Sequence, residues 1–139
     1  AQVLGCGSFG FAVHGYLQGA PVAVKAQTEV QTTFRSLASM MNELRIFRHV
    51  RHPNVVLFYG ACVEPEECDV LLVMERVTGS DLYKYVVAHD TDADVHMRFQ
   101  LMLDVASALR YLHAQQPRIV HGDLKGSNVL VEPALPRAK

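Results

Sequence analysis

What this chain has little of narrows its function before any motif is considered. Its three cysteines, Cys6, Cys62 and Cys68, form no C-x-x-C pair and leave an odd count. That argues against a disulfide framework and a thiolate zinc site, and fits a reducing, cytoplasmic compartment or the cytoplasmic portion of a larger protein. The formal net charge is −1, so no basic surface directs the chain to nucleic acid or to an anionic membrane. Apolar runs such as Val70 to Met74 are only five residues long, far short of the roughly 20 that a membrane helix needs. There is no N-x-[ST] sequon, no initiator Met and no basic-then-apolar leader. Ala1 to Leu4 reads as the end of a strand whose beginning is missing. The seven histidines include no H-E-x-x-H, and His49 with His52 lacks further ligands at finger spacing, so structural zinc, with its four convergent ligands, is not expected.

What remains is a globular chain of 139 residues, half of them hydrophobic, without repeats, low-complexity tracts or linkers. Gly5-Cys6-Gly7-Ser8-Phe9-Gly10 is a G-x-G-x-x-G, a pattern that lets backbone approach phosphate oxygens. Alone it is a weak signal. A dinucleotide fold would open a helix here, whereas the residues after Gly10 are β-prone; a nucleotide P-loop would need Lys in place of Phe11. Gly15 to Pro21 reads as a turn, and Pro21 to Lys25 as a third strand ending on its Lys. Phe34, Leu37, Met41, Leu44 and Phe47 alternate steps of three and four, predicting a helix over Phe34 to Val50 that stops before Pro53. Glu43 is its only acid and lies at the edge of the apolar stripe, placed to pair with Lys25.

Val55 to Cys62 and Asp69 to Glu75 are β-rich runs joined by an acidic turn. Asp81 precedes a short helix, Leu82 to Val87, as its N-cap. The alternating acids of His89 to His96 resemble a calcium loop, but Val95 and Leu101 stand where the turn Gly and the bidentate Glu are required. That stretch is expected to be a solvated connector. Val95, Phe99, Met102, Ala106 and Leu109, widened by Val105 and Leu112, predict a long, well-buried helix over Asp94 to Gln115. Its apolar face is expected to find too few partners within this chain.

The densest chemistry follows in Ile119-Val120-His121-Gly122-Asp123-Leu124-Lys125-Gly126-Ser127-Asn128-Val129-Leu130-Val131. Within six residues it offers a carboxylate that can orient a hydroxyl and take its proton, an ammonium that can neutralise phosphate, and an amide that can ligate a divalent cation. This run resembles the protein kinase catalytic loop, H-R-D-L-K-x-x-N, with Gly122 in place of the Arg. The glycine hairpin, the V-A-V-K strand, Glu43 and the segment after Glu75 resemble the other kinase motifs in the same order, from Gly5 to Val131. Lys125 in Asp123-Leu124-Lys125 resembles the serine/threonine-specific class, and Gly15-x-x-x-Gly19 and His52-Pro53-Asn54 resemble the tyrosine-kinase-like branch of that class.

The resemblance implies an α+β fold: a five-stranded antiparallel N-lobe sheet with one αC-type helix over 1–75, a hinge over 76–81, and the first helices and catalytic loop of a helical C-lobe over 82–139, ending before D-F-G. It implies ATP and Mg²⁺ as cofactors and a Ser or Thr hydroxyl of a protein as acceptor. Lys25, held by Glu43, would position the α- and β-phosphates under the backbone of Gly5, Gly7, Ser8, Phe9 and Gly10, with Leu4 also against the nucleotide. Ala12, Ala23, Met74 and Leu130 would surround the adenine, backbone groups of Glu75 and Val77 would meet its edge, and Asp81 would lie near the ribose. Asn128 would hold Mg²⁺, Lys125 would offset γ-phosphate charge, and Asp123 would act as base. Ala12 replaces the usual Val over the adenine, a loss of roughly 1 kcal/mol or less of apolar contact. Gly122 removes a cation that in many kinases answers to loop phosphorylation, so activation by phosphorylation is expected to be weak. A nucleotide-binding pseudokinase scaffold is an alternative, weakened by the presence of Lys25, Asp123 and Asn128. A truncated remnant is another, and the 139-residue chain by itself is expected to be inactive.

Overall fold

The computed structural model describes residues 2–7, 10–26, 44–64, 69–89, 95–133 and 136–139. They fall into two compact units, one comprising Ala1–Val50 and Leu57–Arg76, the other Arg51–Val56 and Val77–Lys139.

The first unit is an antiparallel sheet of five strands in the order β1-β2-β3-β5-β4: β1 Val3–Gly7, β2 Gly10–Leu17, β3 Ala20–Ala26, β4 Phe58–Glu64 and β5 Asp69–Glu75. The turn between β2 and β3 is shorter than its composition suggests. Gly15 and Tyr16 stay in the ladder opposite Val22 and Pro21, and only Gln18 and Gly19 turn. Both have positive φ, 50° and 85°, the geometry of a two-residue hairpin whose twist matches that of its strands. The strand expected from Val55 begins instead at Phe58. Phe58, Val70 and Leu72 form the core of this unit, with Leu44 and Met74 packed against it. Residues 44–47 are helical; the rest of the expected helix, up to residue 43, lies outside the described residues.

The second unit contains α1 Leu82–Ala88, α2 Val95–His113, a 3-10 turn Gly126–Asn128, and a small antiparallel sheet of β6 Ser80–Asp81, β7 Leu130–Glu132 and β8 Arg137–Ala138 in that order. Tyr85, Leu101, Val129, Val131 and Ala138 make its core, joined by Leu82, Met97 and Val105. The stripe of α2 that is buried is not the expected one through Phe99 and Met102, and that face stays open, as expected of one with too few partners in this chain. Leu101 is 1% exposed, whereas Phe99 is 57% and Met102 69% exposed. An all-apolar periodicity offers more than one stripe, and the small sheet and Tyr85 select the one through Met97, Leu101 and Val105.

Residues 51–56 pack within this second unit. His52 stacks on Tyr111 with ring centroids 4.9 Å apart, and the Tyr111 hydroxyl accepts a hydrogen bond from Arg51 N at 2.9 Å. Asn54, buried, donates Nδ2 to Ala138 O at 3.0 Å. Ala138 N in turn donates to Asp104 Oδ2 at 3.0 Å. Both backbone groups of a 1% exposed residue are thus satisfied by side chains, as burial demands.

Candidate functional site

The loop between α2 and β7 is built by local geometry. Ile119 N returns to Leu112 O at 3.1 Å, which ends the run-off from the helix. Gly122 has φ +77°, a left-handed conformation that a side chain resists. Asp123 N donates to His121 Nδ1 at 3.3 Å. Lys125 is extended, φ −155° and ψ 162°, and precedes the 3-10 turn, in which Asn128 N donates to Lys125 O at 2.9 Å. That turn swings Asn128 back onto Asp123. Asn128 Nδ2 donates to Asp123 O at 2.8 Å and to its Oδ2 at 2.9 Å, and Lys125 Nζ lies 2.9 Å from the same Oδ2. Buried Val129 and Val131 hold the exit. The turn rests on α1, where a Cβ added to Gly126 would lie 3.3 Å from Tyr83 Cβ.

The electrostatics follow from those contacts. The Lys125 ammonium, and then the Asn128 amide, hold the Asp123 carboxyl below its ordinary value, because both stabilise the charged form. Asp123 is consequently an ionised acceptor at neutral pH. Lys125 has three N–H donors, of which one is directed at Asp123, so the others suit an anion. With Nδ2 committed to Asp123, the amide oxygen of Asn128 is the atom suited to a hard cation. Among the described residues no group of three or more His, Cys, Asp or Glu gathers as a metal cage, so a cation here would need oxygens from its ligand as well.

Asp81 is opposite Leu130 in the β6–β7 ladder, and Leu82 N donates to Val129 O at 2.8 Å. These bonds fix Asp81 beside the strand leaving the loop. Its carboxylate caps α1: Oδ1 accepts from Lys84 N at 2.9 Å and Oδ2 meets Lys84 Nζ at 2.9 Å. The side-chain contact with Lys84 and then its backbone N–H lower the Asp81 carboxyl from its ordinary value. The partner Lys84 was legible only as an i, i+3 spacing.

In the first unit, sheet register brings the other expected residues to one face. Ala12 is opposite Lys25, and Lys25 opposite Leu72; one row along, His14 is opposite Ala23, and Ala23 opposite Met74. Cross-strand partners share a face and strand residues alternate, so Ala12, Ala23, Lys25 and Met74 lie together. Leu44 and Met74 both pack against the cluster of Phe58, Val70 and Leu72. In the glycine hairpin Gly5 pairs with Ala12 and Gly7 with Gly10. A Cβ on Gly5 would meet none of the described residues within 4 Å. The expected Ser8, Phe9 and Glu43 lie outside the described residues, and with them the expected Lys25–Glu43 pair. Glu75 Oε2 accepts from Leu57 N at 3.1 Å. Leu4 is exposed on β1, and Val77 is the first residue of the longer segment of the second unit. Sequence reasoning missed the contact of Arg76 with His14, because nothing in a sequence marks two polar residues on strands flanking a third.

The family model for protein tyrosine and serine/threonine kinases matches residues 1–136. The chain is 36% identical over 129 residues to a probable serine/threonine-protein kinase, SIS8, of Arabidopsis thaliana, covering 93% of this chain and 12% of that protein. It is 37% identical over 134 residues to the dual specificity protein kinase splA of Dictyostelium discoideum, covering 94% and 6%, and 35% identical over 135 residues to the serine/threonine-protein kinase CTR1 of Arabidopsis thaliana, covering 94% and 16%. The chain thus spans a small part of the length of these relatives. With its five-stranded antiparallel sheet, its helices and its loop through Asp123 and Asn128, the chain belongs to the protein tyrosine and serine/threonine kinase family.

Proposed function

We propose that the protein carrying this chain transfers the γ-phosphoryl group of ATP to a Ser or Thr hydroxyl of a protein. Family membership implies ATP use; the residue roles rest above all on the Asp123 carboxylate held by Lys125 and Asn128. Residues 1–75 are the nucleotide-holding lobe, 76–81 the hinge segment and 82–139 the start of the lobe that carries transfer. Bound with Mg²⁺, ATP supplies the transferable phosphoryl group.

The chain's own residues then have distinct tasks. Backbone of the hairpin from Gly5 to Gly10 covers the phosphates, and Lys25, with Glu43, neutralises and positions them. Leu4, Ala12, Ala23, Met74 and Leu130 bury the adenine, while backbone groups of Glu75 and Val77 meet its edge and Asp81 lies by the ribose. The Asn128 amide oxygen would hold the Mg²⁺ that accompanies ATP and offsets phosphate charge. Asp123, ionised, accepts a hydrogen bond from the acceptor hydroxyl and receives its proton as oxygen bonds to phosphorus and the bond to the leaving oxygen of ADP breaks. Lys125 offsets the charge on the transferred group. Lys125, where tyrosine-specific kinases have other residues, favours Ser or Thr as acceptor. The odd cysteine count supports a reducing, cytoplasmic setting; among the described residues no helix is long and apolar enough to cross a membrane.

The test is Asp123→Ala in the full-length protein. Turnover should fall by about 10² to 10⁴, the usual contribution of a positioned base, while ATP affinity stays within a few-fold. Undiminished turnover would remove Asp123 from the mechanism.

A further inference from the structure

The contact between His14 and Arg76 has no role in the reading above. β2 and β5 each hydrogen-bond to β3, and neither bonds to the other. Arg76 is the first residue beyond β5, yet its Nη1 lies 2.6 Å from His14 Nδ1 and 3.4 Å from Nε2. Its side chain therefore crosses the full width of β3, about 9 to 10 Å between the flanking strands. A guanidinium has donors only, so the imidazole nitrogen is the acceptor in this contact. His14 is opposite Ala23, which places the contact on the face that carries Ala23 and Lys25. Tyr16 packs edge-on against the ring at 4.7 Å and 71°, and the backbone beneath it is held by the main-chain N–H of His14, which donates to Gln2 O at 2.8 Å.

The residue before Arg76 is anchored toward the opposite flank. Glu75 Oε2 accepts from Leu57 N, just before β4. Two successive side chains thus tie the end of β5 toward both sides of the sheet. We propose that His14 and Arg76 form a clamp that holds the backbone from Glu75 to Val77 in the conformation that meets an adenine ring, which makes His14 a positioning residue for nucleotide affinity. This rests on the nucleotide reading of that segment. A segment ordered before the ligand arrives loses less conformational freedom on binding, so the clamp acts on affinity and leaves the chemical step alone.

The test is equilibrium binding of ATP and of adenosine to the full-length protein, with steady-state kinetics beside it. His14→Leu and Arg76→Leu should each weaken both ligands about three- to tenfold, the value of one hydrogen bond, and should raise KM for ATP at unchanged kcat. The double variant should be no weaker than either single one, as expected for two halves of one contact, and His14→Gln, whose carbonyl can accept from the guanidinium, should return to within about twofold of wild type. If His14→Leu does not fold, Arg76→Leu against Arg76→Lys serves the same comparison. Wild-type affinity in a folded Arg76→Leu, additive losses in the double variant, or a loss seen with ATP and not with adenosine would each overturn the clamp. A wild-type protein that binds neither ligand would overturn the nucleotide reading itself.

Discussion

Asn128 holds Asp123 through a single amide nitrogen that donates both to the backbone oxygen, at 2.8 Å, and to the carboxylate Oδ2, at 2.9 Å. One side chain thereby fixes both the main chain and the reactive group of the residue five positions earlier. Lys125 completes the arrangement from between them.

A first prediction concerns protonation. Asp123 is lowered by Lys125 first and Asn128 second. A carboxylate depressed in the folded state contributes stability above its unfolded value, near 3.9, and loses it as pH falls through the lower folded value. Between pH 5 and 8 Asp123 should therefore stay ionised. Carboxyl-carbon NMR of the labelled chain should show its midpoint below that of an ordinary Asp, rising in Lys125→Met and, by less, in Asn128→Ala. A midpoint unmoved by Lys125→Met would mean that the ammonium does not act on Asp123.

Gly122 has two possible meanings, and its geometry bears on both. Its φ of +77° is a sufficient backbone reason for glycine, since a Cβ there would meet no atom within 4 Å and only the dihedral opposes it. Gly122→Ala and Gly122→Arg should each lose about 1 to 2 kcal/mol in denaturant unfolding, alike in size. A much larger loss for Arg alone would indicate charge repulsion and not strain.

With no cation before Asp123, phosphorylation elsewhere in the protein should have little to neutralise at this point. Phosphatase treatment of the full-length protein at saturating ATP is expected to leave the rate within about tenfold, or 1.4 kcal/mol. A greater fall would show that other basic residues have taken that part.

Gly79 is held by packing. A Cβ there would collide with the carbonyl oxygen of Val131 and lie 3.0 Å from its carbonyl carbon, both backbone atoms that cannot yield cheaply. Gly79→Ala should destabilise the chain by about 1 to 3 kcal/mol or more, whereas Gly5→Ala, whose Cβ would meet none of the described residues within 4 Å, should leave the melting transition nearly in place. Equal melting of the two variants would contradict this account.

Asp81 serves α1 as its cap. Asp81→Ala should cost about 1 kcal/mol, and Asp81→Asn, which keeps a capping oxygen and loses the Lys84 ion pair, only a few tenths, since that lysine is largely exposed. Thermal unfolding of the two variants separates cap from charge. An Asn variant as unstable as the Ala variant would reassign the effect to the ion pair.

The sequence alone determined what local chemistry can determine. The spacing of Asp123, Lys125 and Asn128 is that of one loop and one short turn, so the three meet whatever the rest of the chain does. Ala23 and Lys25 share a face of β3 because strand residues alternate, and Asp81 caps α1 because its carboxylate has only to reach the N–H three residues ahead. Tertiary structure decided the choices that periodicity leaves open. The apolar residues of α2 offer stripes through Phe99 and Met102 or through Leu101 and Val105, and only the position of Tyr85, Val129 and Val131 selected the second. His52 and Asn54 were legible as a helix stop, but stacking on Tyr111 and the bond to Ala138 assign them to the second unit. Arg76 meets His14 because β3 lies between their strands, and strand order is a property of long-range pairing that neither residue encodes.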